Sequence, residues 1–265
     1  MHSRLALAAP PVTLACALFV GSVQAQDKPA MKPLADAELS GVWGQALLDL
    51  TNTTSGGYDF SRLTLKADIA MSATLTGLKL GTHADGTSDI DITSLNFGRS
   101  DLGDAHRTVA ITNPYFEWVY SGSAAAGDRQ VVGMRVGFGG IAGDVGLAMN
   151  TVSGSLSLST SAGQSPAATQ LRSVGSQQTA LTGCSGTCSV ALNQIGGVTA
   201  GSATDGASRD FFLSILKSAV TYPTTNAAVG APAVAQAGFW LNWTDHLAAL
   251  NTTGITPPNV PKIGP

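Results

Sequence analysis

Apolar residues recur at every second position from Leu63 through Leu65, Ala67, Ile69, Met71 and Ala73 to Leu75, while Thr64, Lys66, Asp68, Ser72, Thr74 and Thr76 fill the places between. A period of two puts the two sets on opposite faces of an extended chain, so this stretch predicts a long β-strand with one dry and one wet face. The pattern extends this strand from Tyr58 to Leu80 with a bend at Gly77, and places the next from Ile90 to Phe97 after a turn at Asp85-Gly86. Val109 to Ile111 and Phe116 to Tyr120 follow, parted by Asn113-Pro114. Val131 to Phe138, Val145 to Met149 and Leu156 to Leu158 complete the series, with glycines at 133, 137, 139, 140, 143, 146 and 154 read as punctuation between short strands. The predicted fold class is mainly β: an antiparallel meander, roll or solenoid-like sheet domain with one or two short helices.

From Ser159 to Ala207 the chain turns rich in Ser, Thr, Gln and Gly, which predicts long surface loops within one β-rich domain spanning 58–256. Ser208 to Val220 carries Phe212, Ile215, Leu216 and Ala219 at helical spacing, with Ser208 as N-cap and Pro223 beyond the end, and predicts a helix. A strand over Phe211 to Ile215 is the alternative. Gly238 to Trp243 alternates aromatic and aliphatic residues, and Pro257, Pro258 and Pro261 predict an extended tail over 257–265.

The first 25 residues have the form of a secretory signal peptide: Arg4, an apolar run from Leu5 to Val20, and Val23-Gln24-Ala25 as a cleavage site. Residues 26–57 then form an N-terminal cap segment ahead of the sheet. Export removes Cys16 and leaves Cys184 and Cys188, which flank Ser185-Gly186-Thr187 and predict a small disulfide loop in an oxidising compartment. A structural zinc site needs four ligands, and no second cysteine pair or nearby histidine supplies them.

Composition narrows the partners. Charged residues are 12% of the chain against 44% hydrophobic, and the formal net charge is -3, so the basic stripe that nucleic acid demands is missing. A surface built from Ser, Thr, Asn and Gly suits a protein packed against other chains. His83, His106 and His246 stand alone in sequence, and no G-x-S-x-G elbow occurs, so no catalytic residue, cofactor or metal site is assigned. Asp85, Thr87, Asp89 and Asp91 alternate in a Gly-bearing turn and could offer oxygens to calcium, as could Asp101 and Asp104; without the EF-hand spacing they are read as solvated turn carboxylates rather than calcium ligands. Trp118, Trp240 and Trp243, with Tyr115, Phe116 and Tyr120, are candidate ligand or subunit contacts, with core packing the competing use. An outer-membrane barrel would need more ten-residue strands than the pattern supplies.

The segment Met31-Lys32-Pro33-Leu34-Ala35-Asp36-Ala37-Glu38-Leu39-Ser40-Gly41-Val42-Trp43-Gly44-Gln45 resembles the L-x-D-x-E-L-S-x-V-x-G-Q opening of the Fil-type pilus family of exported proteobacterial proteins. The blocks Asn113 to Trp118 and Arg129 to Gly139 look like strand blocks of the same family, and nothing after Ser159 matches. The resemblance implies a non-enzymatic structural protein at a Gram-negative cell surface, outer membrane or periplasm. It would take part in pilus-associated assembly or adhesion, with other envelope or pilus proteins or itself as partners. The alternative is a secreted or periplasmic module binding a hydrophobic or carbohydrate ligand.

Overall fold

Three long segments run antiparallel beside one another in the computed structural model, which describes residues 47–122, 126–164, 168–174, 176, 178–183, 188–223 and 234–260. The first is β2 (Tyr58–Leu65), β3 (Asp68–Met71) and β4 (Ala73–Thr82); the second is β5 (Ser88–Phe97) and β6 (Val109–Ser121); the third is the single strand β7 (Gln130–Leu156). β2 and β3 pair with β6, β4 pairs with β5, and both β5 and β6 pair with β7. The alternation that opens the sequence is thus one ribbon, stepped at Lys66-Ala67 and at Ser72. Ahead of it β1 (Leu48–Ser55) joins β2 through Gly56 and Gly57, whose φ values of 59° and 82° suit a two-residue type I′ hairpin. The sheet therefore begins at Leu48, inside the segment expected as a cap, and the signal peptide and Fil-type opening lie outside the described residues.

The C-terminal half winds back over β7. Its strands are β8 (Ser159–Thr160), β9 (Gly163–Gln164), β10 (Ala168–Val174), β11 (Gln178–Ala180), β12 (Ser189–Ala191), β13 (Gly197–Ala200), β14 (Phe212–Leu216), β15 (Val220–Thr221), β16 (Val234–Ala235), β17 (Gly238–Trp243) and β18 (Leu247–Ala249). β14 lies between β17 and Gly133–Gly137 of β7, while β17 runs parallel to Gly154–Leu156. Both halves of the long strand are joined through this pair. Among the described strands fourteen form one sheet, and the sheets are antiparallel-dominated and not closed into a barrel. Three-residue 3-10 turns stand at Asp104–His106 and Leu192–Gln194.

Three expectations need correction. The helix over Ser208 to Val220 is strand β14, with Phe212, Ser214 and Leu216 turned inward and Ile215 exposed. Ladders on both sides outweigh the helical spacing of four apolar residues. The glycines read as breaks lie within the continuous strand β7. A Cβ at Gly133 would meet the Ile215 carbonyl oxygen, and one at Gly154 the Leu241 carbonyl oxygen, so these glycines mark where other strands cross. The segment expected as surface loops at 159–207 sends Leu181, Val190, Ile195, Val198 and Ala200 into a buried cluster with Val109, Ile141 and Trp243. The proline-containing end, as far as Val260, is strapped down. Asn96 Nδ2 donates to the Pro257 carbonyl at 2.8 Å, and Asn259 Nδ2 donates to that of Phe97 at 2.6 Å.

Candidate functional site

Side chains directly opposite one another on successive strands share a face. One row on the outer face of the sheet reads Leu50, Leu63, Phe116, Val136, and the next reads Asn52, Ser61, Trp118, Met134, Ile215. Leu50 is 63% exposed, Phe116 48% and Ile215 44%, with Leu48 exposed beside them. These residues make an apolar strip that ends at β1, the terminal strand of the sheet.

The backbone of β1 completes the strip. Lys66 N donates to the Leu47 carbonyl, which makes 47 and 66 a hydrogen-bonded pair; by alternation the pairs 49/64, 51/62, 53/60 and 55/58 are of the same kind. The N–H and C=O groups of Leu48, Leu50, Asn52 and Thr54 therefore point away from β2, and no strand among the described residues meets them. An extended segment from elsewhere would find both a backbone ladder and apolar side chains there.

Behind this strip, on the inner face, runs the row Arg62, Glu117, Arg135, Ser214, Trp240, buried from Glu117 onward with Arg62 half-buried at its end. Glu117 Oε1 accepts from Arg135 Nε and Oε2 from Arg62 Nε, both at 2.6 Å. The Arg135 guanidinium lies 3.8 Å from the Tyr222 ring centroid, and Arg62 lies 4.1 Å from that of Tyr115. Arg135 Nη2, Ser214 Oγ, Tyr222 Oη and Trp240 Nε1 are buried without a complete hydrogen bond. Burial pushes the Tyr222 phenol well above its ordinary range, against the opposing pull of the Arg135 charge.

The three tryptophans are not brought together. Trp240 and Trp243 are 0% and 2% exposed and belong to separate buried clusters; Trp118 is half-buried on the outer strip. Cys184 lies outside the described residues, and Cys188 packs beside the cluster that holds Trp243. The turn carboxylates do not converge. Asp85 caps its own turn through Thr87, Asp89 is buried against His83 and the Phe239 N–H, and Asp91 pairs with Lys79 at 3.1 Å. Arg99 beside Asp101 holds that carboxyl below its usual range. Each described histidine has a carboxylate neighbour: His83 with Asp89, His106 with Asp144 and His246 with Asp245. No group of three or more His, Cys, Asp or Glu side chains that would hold a metal occurs among the described residues. No described helix is long and apolar enough to cross a membrane.

Comparison with family models, with curated proteins and with solved structures returns no match. The site is thus defined by its own geometry. Sequence reasoning missed β1, because an edge strand open on both faces carries little apolar signal in Leu48-Asp49-Leu50-Thr51-Asn52-Thr53-Thr54-Ser55. It also missed the charged row, although Glu117 set between Phe116 and Trp118 in an apolar run is a usable signal for a buried partner.

Proposed function

We propose that this chain is an exported, non-enzymatic structural protein of a Gram-negative cell surface that joins a pilus-associated or adhesive assembly by strand pairing at β1. One observation carries the reading: the outward backbone groups of Leu48, Leu50, Asn52 and Thr54 sit beside an exposed strip of Leu50, Phe116 and Ile215. Soluble proteins blunt such edges with charge, proline or a cover, because exposed ladders template association. The Fil-type resemblance of the Met31 to Gln45 segment points the same way.

The test is a single proline. Asn52 turns its N–H away from β2, so Asn52→Pro removes an outward donor and leaves the β1–β2 ladder whole. Sedimentation of the mature protein over rising concentration is expected to show ordered association, lost in Asn52→Pro with an unchanged circular dichroism spectrum. Immunogold labelling of producing cells is expected on surface structures that vanish on deletion. Mature protein that stays monomeric at high concentration, with label confined inside the cell, overturns the proposal.

A further inference from the structure

Between the pairs β4–β5 and β14–β17 lies a cavity of about 70 Å³ whose lining is wholly apolar, including Leu78, Leu80, Ile92, Leu213, Leu241 and Trp243. By the volume one water needs, this is room for roughly five carbon-sized groups in a space where water finds no partner. Beside the cavity is an open depression of about 450 Å³ formed by Gly81, Asp89, Ile215, Lys217, Gly238 and Phe239 with neighbouring backbone. The two adjoin on β4, β5, β14 and β17, while β7 gives Leu147 to the cavity and Val132 and Gly133 to the depression. Leu80 precedes Gly81 and Asp89 precedes Ile90, while the cross-strand pair Leu213 and Leu241 stands next to the same-face pair Ile215 and Phe239.

Charge at the mouth is uneven. Asp89 is 7% exposed, and its two oxygens are taken by His83 Nε2 at 2.8 Å and the Phe239 N–H at 3.0 Å. A Cβ at Gly238 would stand 2.6 Å from Asp89 Oδ2, so glycine there lets the strand close over this carboxylate. Lys217 is exposed, donates from Nζ to the Val131 carbonyl at 3.0 Å, and has no carboxylate partner among the described residues. The mouth therefore offers one uncommitted positive charge beside a dry apolar cavity.

We propose that this cavity and its mouth bind a fatty-acid carboxylate, with the terminal carbons of the chain held between β4–β5 and β14–β17 and the head beside Lys217. This goes beyond strand pairing at β1 and shares only Ile215 with the strip beside it. The test is calorimetric titration of the delipidated mature protein with dodecanoate, and with dodecanol as the uncharged probe, below micelle-forming concentrations. Dodecanoate is expected to bind saturably at one per chain with a negative heat-capacity change, and to shift tryptophan emission through Trp243. Leu78→Phe fills the cavity and is expected to weaken both probes at least tenfold with folding retained by circular dichroism. Lys217→Gln is expected to weaken dodecanoate about two- to fivefold, as loss of one exposed ion pair does, and to leave dodecanol unchanged. Absence of saturable dodecanoate binding, or binding indifferent to Leu78→Phe, overturns the proposal. Equal response of the two probes to Lys217→Gln overturns the head assignment. The Asn52→Pro variant is expected to bind as wild type, so failure here and failure of edge assembly are read separately.

Discussion

Glu117 is the residue whose change tests the packing of the inner face most directly. Its side chain is 4% exposed, that of Arg135 5% and that of Arg62 17%, so Glu117→Gln removes the single negative charge between two largely buried cations. Glutamine preserves volume, so no cavity term enters. It offers one acceptor oxygen where glutamate offers two, and its amide N–H₂ would face the Nε–H of an arginine. Two charge-assisted hydrogen bonds at roughly 1.5–3 kcal/mol each set the upper range. Breaking a buried pair by removing one partner costs about 3–5 kcal/mol, because the remaining charge stays buried. Against a total stability on the order of 5–15 kcal/mol, the midpoint of urea unfolding should fall by about a fifth or more. The assay is urea titration followed by tryptophan emission, to which Trp240, in the same row, contributes a buried signal. Replacing all three residues with apolar side chains of similar size should return most of the loss, since a well-packed apolar row has no desolvation cost. A Glu117→Gln cost below about 1 kcal/mol would refute the argument that these charges are dry.

The other predictions concern single contacts. Gly154→Ala places a methyl group against the Leu241 carbonyl and should cost about 3 kcal/mol, whereas Gly86→Ala, with open space around it at φ 78°, should cost only about 1–2 kcal/mol; urea titrations of both variants compare them. Asn259→Ala removes donors to the Phe97 carbonyl and to Ser72 Oγ, and should cost about 1–2 kcal/mol and raise hydrogen exchange over residues 256–260. The Tyr222 phenol keeps its proton in the fold at pH values where the unfolded phenol, near pH 10, releases it. Stability is therefore whole below about pH 10 and falls as pH rises beyond it, and Tyr222→Phe should make that fall shallower in denaturation midpoints measured from pH 9 to 11.

Strand character was legible where apolar or aromatic residues alternated over several positions. Leu63 to Leu75, Ile90 to Phe97 and Gly238 to Trp243 carry that signal, although Ile69 and Leu75 are exposed and Trp240 to Trp243 are buried on both faces. Legibility failed for three physical reasons. β1 is open on both faces and polar at Asn52, Thr53 and Thr54, so no period marks it. β7 is crossed by other strands at Gly133 and Gly154, and a glycine that admits a crossing chain is indistinguishable in sequence from one that makes a turn. β14 carries apolar residues on both faces because both are engaged, and Phe212, Leu213, Ile215 and Leu216 then satisfy a helical spacing as well as a strand. Alternation identifies a face but not whether that face is the inner one: Trp240 and Trp243 are buried, while Trp118 lies half-buried on the outer strip.

The placement of charge ties the fold to the proposed assembly. A chain with only 12% charged residues has few to spread over its surface. This one buries Glu117, Arg135, Asp89, Asp144 and Asp245, each in a pair or network. Every charge taken inside is absent from the surface, where like charges would otherwise hold copies apart. What the surface presents along β1 is backbone, threonine and asparagine, with Leu48, Leu50 and Phe116 alongside. Lys66 and Asp49 neutralise each other across the hairpin at 3.2 Å and so add no net repulsion at its open end. The gatekeeping lysine that blunts a soluble edge has no counterpart in β1, whose single charged residue is Asp49. Introducing that device, as Leu50→Lys, should abolish association as Asn52→Pro does but by charge rather than by a missing donor, and salt should restore it only in the lysine variant. Sedimentation at low and high ionic strength distinguishes the two, and association that survives both substitutions would place the interface elsewhere.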